Sequence, residues 1–458
     1  MATARTRRLV VGIATSLLSR GIGLIAPLIL IPFALQSIGA ERYGLWTAAA
    51  SLTAIALFAD LGLGNGLLTR LTKTYASGDS AGARQLISSA YAMTGAIALA
   101  LTSLAFVLVP TLNVGGWLDP KATIPTAEAN AIVTVCLMAF AVNIPVTMIQ
   151  RVQYAYQQVA YSNIWSAAAS LTSVAAFVIL TELHLSAVTA VGGAVLAIPV
   201  VGLLNTAVFF LLQRRDLFPK RTPPRWTYAQ NLLRLGGLFF LLSVLTSVAL
   251  NLDPLMISRQ LGLQSTAEYS VGWKITSTLG LFVTLVNLPL WPANGEALAR
   301  GDTDWVRKAT LRMTAISSGL VLAFGLLLIG PGRVIVDVWL ADSGVRPPTS
   351  LMLALVFWNL LLAATSPAIM VQNSVGLLRP QLVAWTIFLV LVVPLKWIAI
   401  GTFGISGGPW MATVLYAIVV IPMVARGMQK ALLAAARRRD QGLLEVEAPP
   451  MLRGGASP

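Results

Sequence analysis

Long stretches of this chain contain no Asp, Glu, Lys or Arg, among them residues 21–40, 85–118, 129–150, 152–181, 347–378 and 397–425. A helix needs about 20 consecutive apolar residues to cross the hydrocarbon of a bilayer, and its backbone polar groups are then satisfied within the segment. These runs are long enough, and they are rich in Leu, Ile, Val and Ala. An outer-membrane barrel would instead show alternating segments of about 10 residues, and none recur. Composition agrees. Of 458 residues, 57% are hydrophobic and 11% charged, against roughly 25% charged in a globular domain; mean hydropathy is +0.78. Disorder, coiled coil, collagen and a disulfide scaffold are excluded. The expected fold class is an all-α polytopic membrane protein.

Twelve spans are predicted, at about 9–36, 43–68, 86–109, 127–149, 164–181, 186–212, 231–253, 266–291, 309–330, 348–375, 382–402 and 408–425. With the N-terminus in the cytoplasm, the cytoplasmic connectors carry 22 Lys and Arg and the outer ones five: Arg42, Lys121, Arg259, Arg333 and Arg346. Such an asymmetry is the positive-inside signature. It also accounts for the net charge of +15 without nucleic acid as a partner. The N-terminal basic residues and the long run after them read as an uncleaved first span. Both termini are expected in the cytoplasm. Cys136 is the single cysteine, so no disulfide forms within the chain. The single His184 reads as an interfacial residue, and no metal site is expected.

The chain repeats itself. Gly78-Asp79 followed by Arg84 matches Gly301-Asp302 followed by Arg307 at an offset of 223 residues, and Gly39 matches Gly262 at the same offset. Matches at one offset, in corresponding topological places, indicate duplication. Six spans per half return the chain to its starting side, so the halves share one orientation. The expected organisation is an N-terminal lobe (1–218), a basic cytoplasmic connector (219–230), a C-terminal lobe (231–425) and a basic, partly disordered cytoplasmic tail (426–458). Asp79 and Asp302 read first as helix N-caps with glycine turns before them.

Charges inside the membrane are costly and normally face water or a partner. They are Arg20 in span 1, Asp60 in span 2, Arg234 and Asp253 in span 7, Lys274 in span 8, Arg312 in span 9 and Lys396 in span 11. Arg234 and Arg312 lie near the cytoplasmic ends, within reach of the interface. Arg20 and Asp60 lie roughly 18 and 12 Å deep at 1.5 Å per residue, depths that suit an ion pair, structural or functional. Asp253, beside Pro254, is expected to cap a broken helix. Lys274 and Lys396 fall in the outer half of the second lobe. Pro27, Pro32, Pro289 and Pro292 are hinge candidates. Asn143, Gln150, Gln153, Gln157, Gln158, Gln372 and Asn373 are expected to tie helices together, with sugar hydroxyls as the alternative.

The stretches Leu17-Leu18-Ser19-Arg20-Gly21-Ile22-Gly23, Gly39-Ala40-Glu41-Arg42-Tyr43-Gly44-Leu45-Trp46 and Asp60-Leu61-Gly62-Leu63-Gly64-Asn65-Gly66 resemble the O-antigen and polysaccharide flippases. So do Trp291-Pro292-Ala293 and Glu296-Ala297-Leu298-Ala299-Arg300-Gly301-Asp302. That group belongs to the multidrug/oligosaccharidyl-lipid/polysaccharide exporter superfamily. The resemblance implies two six-helix lobes working by alternating access in the bacterial inner membrane. It implies an undecaprenyl-pyrophosphate-linked oligosaccharide as substrate, membrane lipid as surroundings, and association with polysaccharide-assembly proteins. It implies no cofactor and no ATP, the energy coming from a proton or monovalent-cation gradient. No G-x-x-x-x-G-K-[ST] phosphate loop occurs, and Gly62, Gly64 and Gly66 read as close helix packing. The related lipid II flippases carry an Arg-Asp doublet in the first helix; here Arg20 is followed by Gly21.

A lipid-linked pyrophosphate needs fixed cations along its path. Arg20, Lys274, Lys396, Arg312 and Arg234 are the candidates to line it, and Asp60 and Asp253 are the candidates for ion coupling. Five basic against two acidic groups disfavour the competing reading, an organic-cation antiporter of the same superfamily. A membrane enzyme is also disfavoured: the outer connectors are short, and no paired-carboxylate or Ser/His/Asp constellation emerges.

Overall fold

The computed structural model describes residues 2–55, 63–219, 240–287, 290–340 and 343–440. Among these there is no strand. The helices of the first half are α1 (Ala2–Ile38), α2 (Ala40–Ile55), α3 (Leu63–Ser77), α4 (Ser80–Thr111), α5 (Val114–Leu118), α6 (Thr126–Val146), α7 (Met148–Ala155), α8 (Val159–Glu182) and α9 (Ala187–Ala207). The second half has α10 (240–251), α11 (Asp253–Gln260), α12 (Leu263–Ser277), α13 (Leu279–Asn287), α14 (Leu290–Ala299) and α15 (Thr303–Ile329). It continues with α16 (Gly332–Trp339), α17 (Thr349–Ser374), α18 (Arg379–Phe403), α19 (Gly407–Leu415) and α20 (Ile421–Asp440).

Among the described residues, nine helical segments are long and apolar enough to cross a membrane. The second and eighth predicted spans are not among them. The second is divided between α2 and α3 by residues outside the described set. The eighth is broken at Thr278, where the Ser277 and Thr278 hydroxyls donate to the carbonyls of Lys274 (2.8 Å) and Ile275 (2.7 Å). Hydroxyls that take backbone carbonyls compete with the helical ladder. The Arg379–Arg437 segment carries two predicted spans in one run. Exposed Leu, Ile, Val and Phe side chains band the long helices, as lipid-facing surfaces require.

The duplication is visible in the backbone. Gly39 and Gly262 have φ of 84° and 96°, and Gly78 and Gly301 have φ of 71° and 74°. The left-handed region is open to glycine at little cost. After each Gly78-type turn the aspartate caps the next helix: Asp79 accepts from the Gly82 N–H at 2.8 Å and Asp302 from the Trp305 N–H at 3.1 Å. The structure therefore supplies the N-caps expected at both positions.

Of the amides expected to tie helices together, Gln150, Gln153, Gln372 and Asn373 do so. Gln153 and Asn205 exchange amide hydrogen bonds of 2.7 and 3.3 Å. Gln150 donates to Ser166, Gln372 to the Val424 carbonyl, and Gln381 to Asn373. Helix α20 continues past residue 425 and lays Ala431 and Ala435 against Leu298, Val306 and Val371.

Between the lobes, the extensive contacts among described residues run through α2, α11 and α12, with smaller contributions from α1 and α5. The extensive packing of α3, α7, α13 and α14 is all within their own lobes. The lobes thus meet at the end where α2, α6 and α12 begin.

Candidate functional site

Helices α2 and α12 pack closely because Gly44 lacks a side chain. A Cβ there would stand 2.1 Å from the Leu263 carbonyl oxygen. One turn further on, the Ser270 hydroxyl donates to that of Thr47 at 2.9 Å. Deeper still, Ser247 of α10 donates to the Ala54 carbonyl at 2.7 Å.

A second set of bonds joins the lobes at this end. The α4–α6 connector is built on local bonds: Asn113 accepts from the Gly116 N–H, and Asp119 accepts from Thr123 and from the Ile124 N–H. It projects Trp117 and Lys121 toward the α11–α12 corner. Arg259 donates to the Trp117 carbonyl at 2.6 Å and lies over its ring, 5.1 Å from the centroid. Lys121 donates to the Leu261 carbonyl at 2.7 Å. Beside them, Arg42 grips Glu128 bidentately at 2.5 and 3.0 Å, tying α2 to α6.

Helix α12 carries one exposed residue among its fifteen, Lys274. All the others are buried or partly buried. The Lys274 side chain has open surface yet is closely surrounded by protein, so it sits in a recess on the helix that forms the lobe seam, where it can meet an anion.

The interior of the C-terminal lobe holds a buried ion pair. The span that begins with α10 breaks at Leu252, and α11 starts at Asp253-Pro254. Proline has no N–H for the ladder, so this break was legible. The capping expected of Asp253 is not found: its side chain makes no cap bond, and Leu252 holds the N-cap position. The carboxylate turns inward instead. Lys396 Nζ of α18 lies 2.7 Å from Oδ1, and the Tyr269 hydroxyl of α12 donates to Oδ2 at 2.8 Å. Both charged side chains are about 95% buried. Burying two charges costs several kcal/mol per ion, and close pairing with added hydrogen bonds offsets it. Lys396 also approaches the Ala249 carbonyl at 3.5 Å, just before the helix break.

Beside the pair lies a small cavity of about 10 Å³, walled by Leu250, Trp273, Leu355, Trp358, Pro409 and Ala412. Tyr269 and Trp273 stack at 6.3 Å. The indole N–H of Trp358 is buried there and has no partner. Glycine lets α19 close over this space: a Cβ on Gly407 would meet the Ala399 carbonyl oxygen at 2.1 Å.

The predicted site residues are thus distributed unevenly. Lys396 and Asp253 come together, Lys396 as a paired, buried cation rather than an open one. Lys274 stands exposed on the lobe seam. Arg312 is exposed on α15, which packs chiefly on α13 and α17, away from the seam. Pro27 and Pro32 lie inside α1, which runs through both as one helix. The backbone of Arg20 lies in α1, but its side chain, with Asp60, Arg234 and Pro289, falls outside the described residues, and so does the Arg20–Asp60 pairing. Tyr269 and Trp358 were missed. Neither carries a charge, and nothing in their spacing links them to Asp253.

The family model described as "Polysaccharide biosynthesis protein" matches residues 9–293. The chain belongs to that family. A Yersinia pseudotuberculosis protein named "Putative O-antigen export protein" is 24% identical over 176 residues, 38% of this chain and 40% of that protein. The match therefore spans well under half the length of that relative. Two solved structures share the fold. A structure titled "Lipid II flippase MurJ, inward closed conformation" matches with a TM-score of 0.69 and 14% identity, over 95% of this chain and 91% of the other. An inward-facing multidrug resistance MATE family transporter of the MOP superfamily matches with a TM-score of 0.67 and 16% identity, over 93% and 100%. By family the chain is a polysaccharide biosynthesis protein, and its fold is similar to that of these multi-pass membrane proteins.

Proposed function

We propose that this protein is a flippase for a lipid-linked oligosaccharide, the undecaprenyl-pyrophosphate-linked repeat unit of O-antigen or another polysaccharide. It works from the inner to the outer leaflet of the bacterial inner membrane, with both termini cytoplasmic, beside the proteins that assemble the polysaccharide. The polyprenyl tail stays in lipid, and the pyrophosphate and sugars pass between the lobes. The family assignment and the O-antigen name of the Yersinia relative support the substrate class.

The observation that carries the reading is Lys274, the exposed cation on the seam helix α12. Stripping a pyrophosphate of water is prohibitive unless charge-assisted hydrogen bonds replace the hydration. An exposed ammonium on the moving seam supplies one. An organic cation would be repelled there. Alternation then consists of undoing the contacts at the α2–α12 end while the other end closes, driven by a proton or monovalent-cation gradient acting on an acid such as Asp253.

The test is leaflet transfer of a defined lipid-linked glycan in proteoliposomes. Wild type transfers it under an imposed gradient, and Lys274→Gln lowers the rate at least tenfold without lowering Tm. Transport of organic cations with no transfer of the glycan lipid would overturn the proposal.

A further inference from the structure

Asp253 has both carboxylate oxygens engaged inside its own lobe, by Lys396 at 2.7 Å and Tyr269 at 2.8 Å. A hard metal cation is held by a shell of several oxygens. The cavity supplies few. Its walls are Leu250, Leu355, Trp273 and Trp358, and the buried indole N–H of Trp358 is a donor with no acceptor. The Ala249 carbonyl already faces the ammonium. The pair is also neutral as it stands. Adding a metal cation would leave a net positive charge in a buried, largely apolar space, which is costly.

We propose that the Lys396 ammonium is the resident counter-cation of the C-terminal lobe. It occupies the position an exchangeable alkali cation would take beside Asp253, so this site binds no Na+ or K+. Among the described residues facing Asp253, the titratable ones are Tyr269 from α12 and Lys396 from α18. From α17 and α19 the cavity receives Leu355, Trp358, Pro409 and Ala412, which do not titrate.

The inference rests on the reading of the chain as an ion-driven transporter, but its test reads binding and needs no transport. The purified full chain is titrated with NaCl, KCl or choline chloride at constant ionic strength, following Tm and tryptophan fluorescence, since Trp273 and Trp358 line the cavity. Wild type responds alike to all three salts. Lys396→Ala vacates the cation position and gains a saturable ethylammonium-dependent rise of a few degrees in Tm. Na+ and K+ do not replace ethylammonium, the detached copy of the missing group, in that effect. The Asp253→Asn/Lys396→Ala double variant shows no such rise. If Lys396→Ala does not fold, Lys396→Gln is titrated in its place, and wild type against Asp253→Asn stands by itself. A saturable Na+- or K+-specific response in wild type that Asp253→Asn abolishes would overturn the proposal. So would a vacated site that ignores ethylammonium.

Discussion

Ser270 and Thr47 are equivalent positions of the two halves, 223 residues apart, and their hydroxyls are hydrogen-bonded to each other at 2.9 Å. The offset that relates Gly39 to Gly262 and Asp79 to Asp302 therefore also relates two residues in direct contact. Equivalent residues of a duplicated fold touch only where the axis relating the halves passes between them. That axis lies at the α2–α12 seam, and under the proposed function the seam is where the lobes would rock. A weak hydroxyl–hydroxyl bond next to the close approach at Gly44 suits a contact that forms and breaks repeatedly.

This contact can be locked. Oxygens 2.9 Å apart place two cysteines within reach of a disulfide bond length of about 2.05 Å. Cys136 is buried and does not compete. Thr47→Cys/Ser270→Cys is expected to cross-link under mild oxidation and to lose transport. Reduction restores it, read by gel mobility and by the proteoliposome assay.

The outer connector can be released. Arg259→Ala with Lys121→Ala removes the bonds to the Trp117 and Leu261 carbonyls. At about 1 kcal/mol for each hydrogen bond, the equilibrium between the two states shifts roughly tenfold or more toward opening at that end. A thiol-reactive probe on a cysteine placed at Ser270 is expected to react correspondingly faster. Unchanged labelling would remove the connector from the gate.

The buried pair should behave as a unit. Removing one partner of a buried ion pair typically costs about 3–5 kcal/mol, because the other charge is left without compensation. Asp253→Asn and Lys396→Met are each expected to lower Tm markedly. The double variant is expected to recover most of the loss, giving a coupling energy in a double-mutant cycle. Additive losses would show that the two groups act separately.

The repeated aspartates serve the fold. Asp79→Ala and Asp302→Ala each remove one N-cap bond and should cost about 1 kcal/mol of stability. Asp→Asn, which keeps an accepting oxygen, should recover most of it. Transport per folded molecule is expected to stay within twofold of wild type, and a loss beyond that with Tm preserved would argue for a gating role.

Nearby residues were read well. Asp79 and Asp302 were assigned as caps because a cap and its helix are neighbours in the chain. The break at Asp253-Pro254 followed from a missing N–H. Gln150, Gln153, Gln372 and Asn373 form helix ties, as expected, while the Gln158 Oε1 is buried without a partner. Asp253 as a cap failed for a tertiary reason: helix α18 brings Lys396 within 2.7 Å, and a buried carboxylate gains more from an ammonium than from a backbone N–H.

Membrane residence, the helical class and the duplication were already decided by the chain, since the hydrocarbon layer sets run length, backbone satisfaction leaves helices as the solution, and a repeat is written in linear order. Which charges meet was decided by folding alone. Asp253, Tyr269 and Lys396 come from three separate helices, and Thr47 meets Ser270 across two lobes. Such contacts depend on how helices rotate and cross, and the apolar pattern of a membrane span, lipid-facing on one side and protein-facing on the other with similar residues, does not encode that rotation.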